Sequence, residues 1–235
     1  KVDRALSGVP ALECARGGLL RAGLAFNACD ISVVTNVTAD HLGLRDIYTL
    51  EEMARVKSVV PRTTKREGYA ILNADDDLVY GMEKELLCRV ALFSTEGQND
   101  RIADHCDDGG LAAVTEGGYF TVIDGRWRAR ICAIPEVPLT LNGRACSMIK
   151  NVLPAVLVAW IRGWDQAKIA AALRSFVPSP QTTPGRMNLF DFGSFSLMVD
   201  YAHNVDGMLQ LRSFLEKTHA RRHIGIIGIA GDRRN

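Results

Sequence analysis

No apolar run in the chain approaches the roughly 20 residues that a helix needs to cross a bilayer. The opening Lys-Val-Asp-Arg does not lead into the apolar core of a secretion signal. Charge of one sign is also missing: 28 Lys and Arg stand against 27 Asp and Glu, a formal net charge of +1. Such a balance lacks the one-signed field that draws a protein to nucleic acid or to an anionic membrane, so neither partner is expected. The six cysteines form no C-x-x-C pair, and no histidines cluster at zinc spacing. Scattered thiols fit a reducing cytosol better than a disulfide framework or a structural zinc site. A soluble, cytoplasmic protein is expected. There is also no G-x-x-x-x-G-K-[ST] stretch, so the pattern lacks the usual phosphate-cradling loop. With no initiator Met, and with the end at Gly231-Asp-Arg-Arg-Asn235 falling just after an apolar segment, the chain is expected to belong to a longer protein.

What is present is enough apolar residue, 47% of the chain, to bury a substantial core. Short β-branched runs alternate with amphipathic segments. Strands are expected at 31–35, 69–72 and 90–93, with helices at 50–60 and 76–87 between them, a rhythm that argues for a parallel sheet covered by helices. From Gly109 to Leu141, glycine pairs and alternating runs at 119–123 and 126–131 predict hairpins and a small antiparallel patch. Helices are expected at 147–162 and 165–176, the second capped by Asp165. Pro178-Ser-Pro-Gln-Thr-Thr-Pro-Gly185 carries three prolines in eight residues and reads as a linker. A strand at 196–199, a helix at 205–217 and a strand at 223–229 then suggest the start of a second, Rossmann-like domain. The fold class is α/β. The expected division is a central domain over 1–178, a linker over 179–185 and a further domain beginning at 186.

Polar clusters stand where strands are expected to end, which is where open α/β sheets bind ligands. Glu13-Cys-Ala-Arg-Gly-Gly18 combines a carboxylate, an Arg and glycines that permit close backbone approach, although a helix-starting turn with a solvated Glu explains it as simply. Thr35-Asn-Val-Thr-Ala-Asp-His-Leu42 follows a strand. If Glu13 ends a neighbouring parallel strand, Glu13 and His41 meet, an incomplete Mg²⁺ or Mn²⁺ site that phosphate oxygens and water would complete. Lys57 lies in the helix that follows and, by itself, reads as a surface lysine. In Leu72-Asn-Ala-Asp-Asp76, Asp75 or Asp76 is placed to cap the next helix. Gly185-Arg-Met-Asn188 and Asp200-Tyr-Ala-His-Asn204 offer an Arg for a base or phosphate and an Asp for ribose hydroxyls, and each is equally well a turn. Gly225, Gly228 and Gly231 lie within an expected strand and do not make a dinucleotide fingerprint.

Taken in order, Glu13, T-N-V-T-A-D-H-L, Lys57, L-N-A-D-D, G-R-M-N, D-Y-A-H-N and G-D-R-R resemble the Mur ligase family over nearly the whole chain. Leu12-Glu-Cys-Ala-Arg-Gly-Gly-Leu-Leu-Arg-Ala-Gly-Leu-Ala-Phe26 is similar to the stretch typical of the cyanophycin synthetases within it. The resemblance implies a Mur ligase central domain, with a mostly parallel sheet flanked by helices and a small antiparallel patch, followed by the start of a Rossmann-like C-terminal domain. It implies ATP and Mg²⁺, an acyl phosphate intermediate, and addition of L-arginine to the β-carboxyl of a poly-aspartate (cyanophycin) primer by a homo-oligomeric full-length enzyme. Carried over by position, Glu13 and His41 would hold Mg²⁺. Lys57 matches a lysine carbamylated in many members. Asn151, Arg186 and Asp200 would contact the nucleotide, and His203 and Asn204 would face the reacting centre.

Some positions depart from the family pattern. Ser147 stands where the first Asn of the adenine-side pattern is usual, Pro154 falls early in the expected helix, and Val205 replaces the proline after H-N. The phosphate loop would precede Lys1, and most of the last domain would follow Asn235. The other readings are a Mur-type ligase of the peptidoglycan or folylpolyglutamate kind, and a non-catalytic nucleotide-binding module.

Overall fold

The structure, a computed structural model, describes residues 2–4, 10–39, 42–43 and 46–228. These divide into two compact units, one running up to Phe93 and including Gln98–Ala112, the other comprising Ser94–Gly97 and the residues from Ala113 onward.

The first unit holds strands β1 (Val2–Arg4) and β2 (Pro10–Leu12), helix α1 (Arg16–Ala22), strand β3 (Cys29–Val34), helix α2 (Leu50–Arg62), strand β4 (Thr64–Asn73), helix α3 (Asp77–Tyr80), strand β5 (Arg89–Ser94) and helix α4 (Asp100–Asp107). β3, β4 and β5 lie side by side and parallel, with Val34 opposite Leu72 and Leu72 opposite Leu92. Parallel strands covered on both faces read as continuous apolar runs. Ala70, Ile71 and Leu72 of β4 and Ala91, Leu92 and Phe93 of β5 accordingly have no exposed surface. α2 begins with a capping box: the Thr49 hydroxyl accepts from the Glu52 amide, and the Glu52 carboxylate accepts from the amides of Tyr48 and Thr49. Those amides hold the Glu52 carboxyl below its ordinary range.

In the second unit, β6 (Leu111–Glu116), β7 (Tyr119–Asp124) and β8 (Trp127–Ala133) follow one another across a sheet, and β7 and β8 form the expected antiparallel hairpin. Helices α5 (Cys146–Ile161) and α6 (Gln166–Ser175) follow, α6 capped by the Asp165 carboxylate on the Lys168 amide. β9 (Asn188–Asp191) and β10 (Ser196–Val199) pair antiparallel, and α7 (Val205–Glu216) comes after them. Ala145, Met187 and Phe214 form a small core that joins the start of α5 to α7, with Met148, Met198 and Leu215 packed around it.

Several elements differ from the sequence expectation. The helix expected over 76–87 stops at Tyr80 and continues as a 3-10 turn over Gly81–Glu85. Gly81 gives up the most backbone freedom on joining a helix, which makes it a natural place for α-geometry to end. Pro154 lies mid-helix in α5, not early; α5 runs through it although its ring nitrogen has no hydrogen to give the Lys150 carbonyl. Residues 223–228 are not a strand. An apolar run becomes a strand only where a neighbour takes its N–H and C=O groups, and here Ile226 is 98% exposed; Ile229, the last residue of that expectation, is outside the described residues. α1, α4, β6 and β9 were not expected.

Candidate functional site

In the first unit, three side chains converge on three consecutive residues of the loop after β3. Asn73, at the end of β4 and fully buried, donates from Nδ2 to the Thr35 carbonyl at 2.8 Å. Lys57, half-buried on α2, donates from Nζ to the Asn36 carbonyl at 2.7 Å. The Val37 amide donates to Asp76 Oδ2 at 2.7 Å. The parallel register that sets Val34 beside Leu72 brings Asn73 and Asp76 to this loop. Asp76 works twice, because its Oδ1 also accepts from the Leu78 and Val79 amides and caps α3. Of the two aspartates that were open as caps, Asp76 fills the role, and Asp75 accepts from Asn99 at 3.2 Å. The loop leading to Asp40 and His41 is thus gripped at its base; Asp40 and His41 themselves lie outside the described residues.

Glu13 sits exposed between β2 and α1. The strand ladder expected to bring it beside the β3 loop is absent among the described residues, since β2 pairs antiparallel with β1 in a sheet of its own. All three β2 residues, Pro10, Ala11 and Leu12, are exposed. No group of three or more His, Cys, Asp or Glu able to hold a metal occurs among the described residues. The Glu13 carboxylate is nonetheless the hard oxygen donor Mg²⁺ takes, and Mg²⁺ sites commonly use one or two protein carboxylates with phosphate and water completing the shell.

In the second unit, G-R-M-N and D-Y-A-H-N, which are well separated in sequence, build one turn pair. Asp200 Oδ2 accepts from the Met187 amide and Oδ1 from the Ala202 amide, each at 2.8 Å. The Tyr201 amide donates to the Gly185 carbonyl, also at 2.8 Å. Asn188 closes the first turn, taking the Gly185 amide on Oδ1 and giving Nδ2 to the Thr183 carbonyl. Gly185 and Met187 both lie in the left-handed region, at φ 67° and 49°, and the Asp200 carboxylate holds the Met187 backbone there. The Arg186 guanidinium lies 5.7 Å from the ring centre of the exposed Tyr201, and the His203 ring stands 4.9 Å from the same ring. His203 Nδ1 is 2.8 Å from the Tyr201 carbonyl oxygen.

Arg186, Asp200 and His203 are therefore neighbours around Tyr201, a residue not singled out in the sequence. Asn204 Oδ1 accepts from the Gly207 amide and caps α7. Asn151 lies exposed on α5, and Ser147, one turn before it, donates to Met187 Sδ at 3.8 Å. The sequence signal for Tyr201 was its place in D-Y-A-H-N just after a strand. The buried Asn73 had no signal beyond its place in L-N-A-D-D.

The Mur ligase middle domain profile matches residues 7–159. The chain belongs to that family. It is 48% identical over 227 residues to the cyanophycin synthetase of Geminocystis herdmanii, an alignment covering 97% of this chain and 26% of that protein. The cyanophycin synthetase of Synechocystis is 47% identical with the same coverage. The chain thus spans about a quarter of the length of these curated relatives. UDP-N-acetylmuramoyl-L-alanyl-D-glutamate--2,6-diaminopimelate ligase of Streptomyces coelicolor is 30% identical over 217 residues, covering 88% of this chain and 38% of that one. Among solved structures, MurF from Acinetobacter baumannii superposes with a TM-score of 0.58 at 18% identity, covering 81% of this chain and 38% of that one. MurF from Thermotoga maritima in complex with ADP gives 0.51 at 18%, over 81% and 40%. At those identities the likeness is one of fold.

Proposed function

We propose that the chain is part of an ATP-dependent amide ligase of the cyanophycin synthetase kind, the part that adds L-arginine to the β-carboxyl of a poly-aspartate primer. The observation that carries this reading is the 48% identity to a cyanophycin synthetase across 97% of the chain, well above the 30% to the diaminopimelate-adding ligase. The reaction takes a carboxylate to an acyl phosphate at the expense of ATP. The amine of arginine then attacks the acyl carbon, and the tetrahedral adduct collapses to an amide with loss of phosphate.

Residues 1–178 form the central domain in this proposal, 179–185 the linker and 186–235 the start of the C-terminal domain. Arg186, Asp200 and Asn151 serve the nucleotide. Arg186 suits a phosphate or a base face, and Asp200, while bracing the Met187 turn, keeps oxygen lone pairs for ribose hydroxyls. His203 faces the reacting centre, and Asn204 orders the helix start beside it. Glu13 and His41 would hold Mg²⁺, which when bound neutralises phosphate charge. Lys57 anchors the loop that carries His41 through the Asn36 carbonyl, and its carbamylation would turn a cation into a further metal-binding carboxylate. The full-length enzyme works as a cytoplasmic homo-oligomer.

The test is an assay of the full-length protein with ATP, Mg²⁺, primer, aspartate and arginine, beside Lys57→Ala. Arginine incorporation that depends on ATP and falls about a hundredfold or more in the variant is the expected result. ATP-dependent incorporation of another amino acid with none of arginine would overturn the substrate assignment.

A further inference from the structure

The Lys217 ammonium, at the C-terminal end of α7, donates to the Cys146 sulfur at 2.8 Å, joining residues 71 apart in the chain. Cys146 is the first residue of α5, a helix of 16 residues with no acidic side chain in its first turn and no side-chain cap. The positive end of a helix dipole repels a cation, and Lys or Arg is normally found at the opposite terminus. Lys217 nevertheless reaches across to this end and meets the sulfur there.

The pair also contrasts with the other thiols, of which Cys29, likewise partly exposed, has the Thr63 and Thr64 hydroxyls beside its sulfur. Cys106 and Cys132 are buried, and burial pushes the Cys14, Cys88 and Cys132 thiols up, away from the thiolate that oxidants attack. Cys146 is partly exposed and has a primary amine in contact with it.

We propose that Cys146 and Lys217 form a reversible, oxidant-driven covalent bridge in which one oxygen atom links the sulfur to the lysine nitrogen. In the first step hydrogen peroxide oxidises the thiol to a sulfenic acid, Cys–SH + H₂O₂ → Cys–SOH + H₂O. In the second step a further peroxide accepts two electrons as the nitrogen–oxygen bond forms: Cys–SOH + Lys–NH₃⁺ + H₂O₂ → Cys–S–O–NH–Lys + 2 H₂O + H⁺. Sulfur and nitrogen each give up two electrons, and each peroxide takes two. The 2.8 Å separation accommodates a bridging oxygen without moving either helix, whereas a direct sulfur–nitrogen bond would have to draw them together. The bridge ties the start of α5, which carries Asn151, to the far end of α7, which Asn204 caps. Its formation stands independently of the proposed ligase function; a consequence for turnover rests on it.

The test is peptide mapping of the full-length protein by mass spectrometry, after reduction and then titration with hydrogen peroxide. The expected product is a peptide pair linked through Cys146 and Lys217, with one oxygen gained and two hydrogens lost, that dithiothreitol separates. Cys146→Ser and Lys217→Arg should each lose the linked pair, and Lys217→Arg keeps the surface charge should the serine variant fail to fold. Direct oxidation of Cys146 to the sulfinic or sulfonic acid with Lys217 unmodified, or a linked pair that persists in Lys217→Arg, would overturn the proposal. Both readouts are independent of ligase activity.

Discussion

Asp76→Ala removes an acceptor on which two elements of the first unit depend. Its Oδ2 takes the Val37 amide at 2.7 Å, and its Oδ1 takes the Leu78 and Val79 amides, each at 3.1 Å. A hydrogen bond to a charged acceptor contributes about 1.5–3 kcal/mol, and a lost N-cap costs about 1 kcal/mol. Together the substitution should cost roughly 2.5–4 kcal/mol locally. Because a tenfold change in an equilibrium corresponds to about 1.4 kcal/mol, protection of the Val37 amide against hydrogen exchange should fall roughly ten- to a hundredfold. Peptides covering 35–39 and 77–80 would report the two arms separately by exchange mass spectrometry. Asp76→Asn should restore much of the α3 cap, since Asn is an equally good N-cap, but less of the Val37 protection, because the acceptor loses its charge. Unchanged exchange at Val37 in a folded Asp76→Ala protein would refute the idea that this carboxylate holds the loop.

The capping box should weaken on the acid side. The Tyr48 and Thr49 amides hold the Glu52 carboxyl below its ordinary range, so its contribution is present above the unfolded value and is lost as pH falls through the lowered folded one; Glu52→Gln should flatten that dependence of α2 helicity, read by circular dichroism. Asp200→Ala frees the Met187 and Ala202 amides and leaves Met187 at φ 49° unsupported; the KM for ATP of the full-length enzyme should rise about tenfold or more, and an unchanged KM would count against a nucleotide role.

Local signals carried much of the fold. Asp165 marks the start of α6, and the runs expected as strands at 31–35, 69–72 and 90–93 fall in β3, β4 and β5, with Thr35 just past the end of β3. α1 was hidden because its two glycines read as a turn, and β9 because four residues beside a proline-rich stretch show little periodicity. The apolar stretch at 223–228 looks like a strand by composition alone, but composition does not supply the neighbour whose backbone must pair with it.

The chemistry-bearing residue types and their order were determined by the sequence alone, because carboxylate, imidazole and amine are properties of single side chains. Which of them are neighbours was decided only by tertiary structure. Parallel registry sets Asn73 and Asp76 at the base of the β3 loop, with Lys57 reaching it from α2. Folding back of the turn after the prolines puts Asp200 under Met187 and Arg186 beside Tyr201. The same holds for Cys146 and Lys217, which are 71 residues apart and unremarkable in sequence until two helix ends bring them into contact. Hydrogen bonds act over about 3 Å, and only the folded chain sets distances on that scale between residues so far apart in sequence.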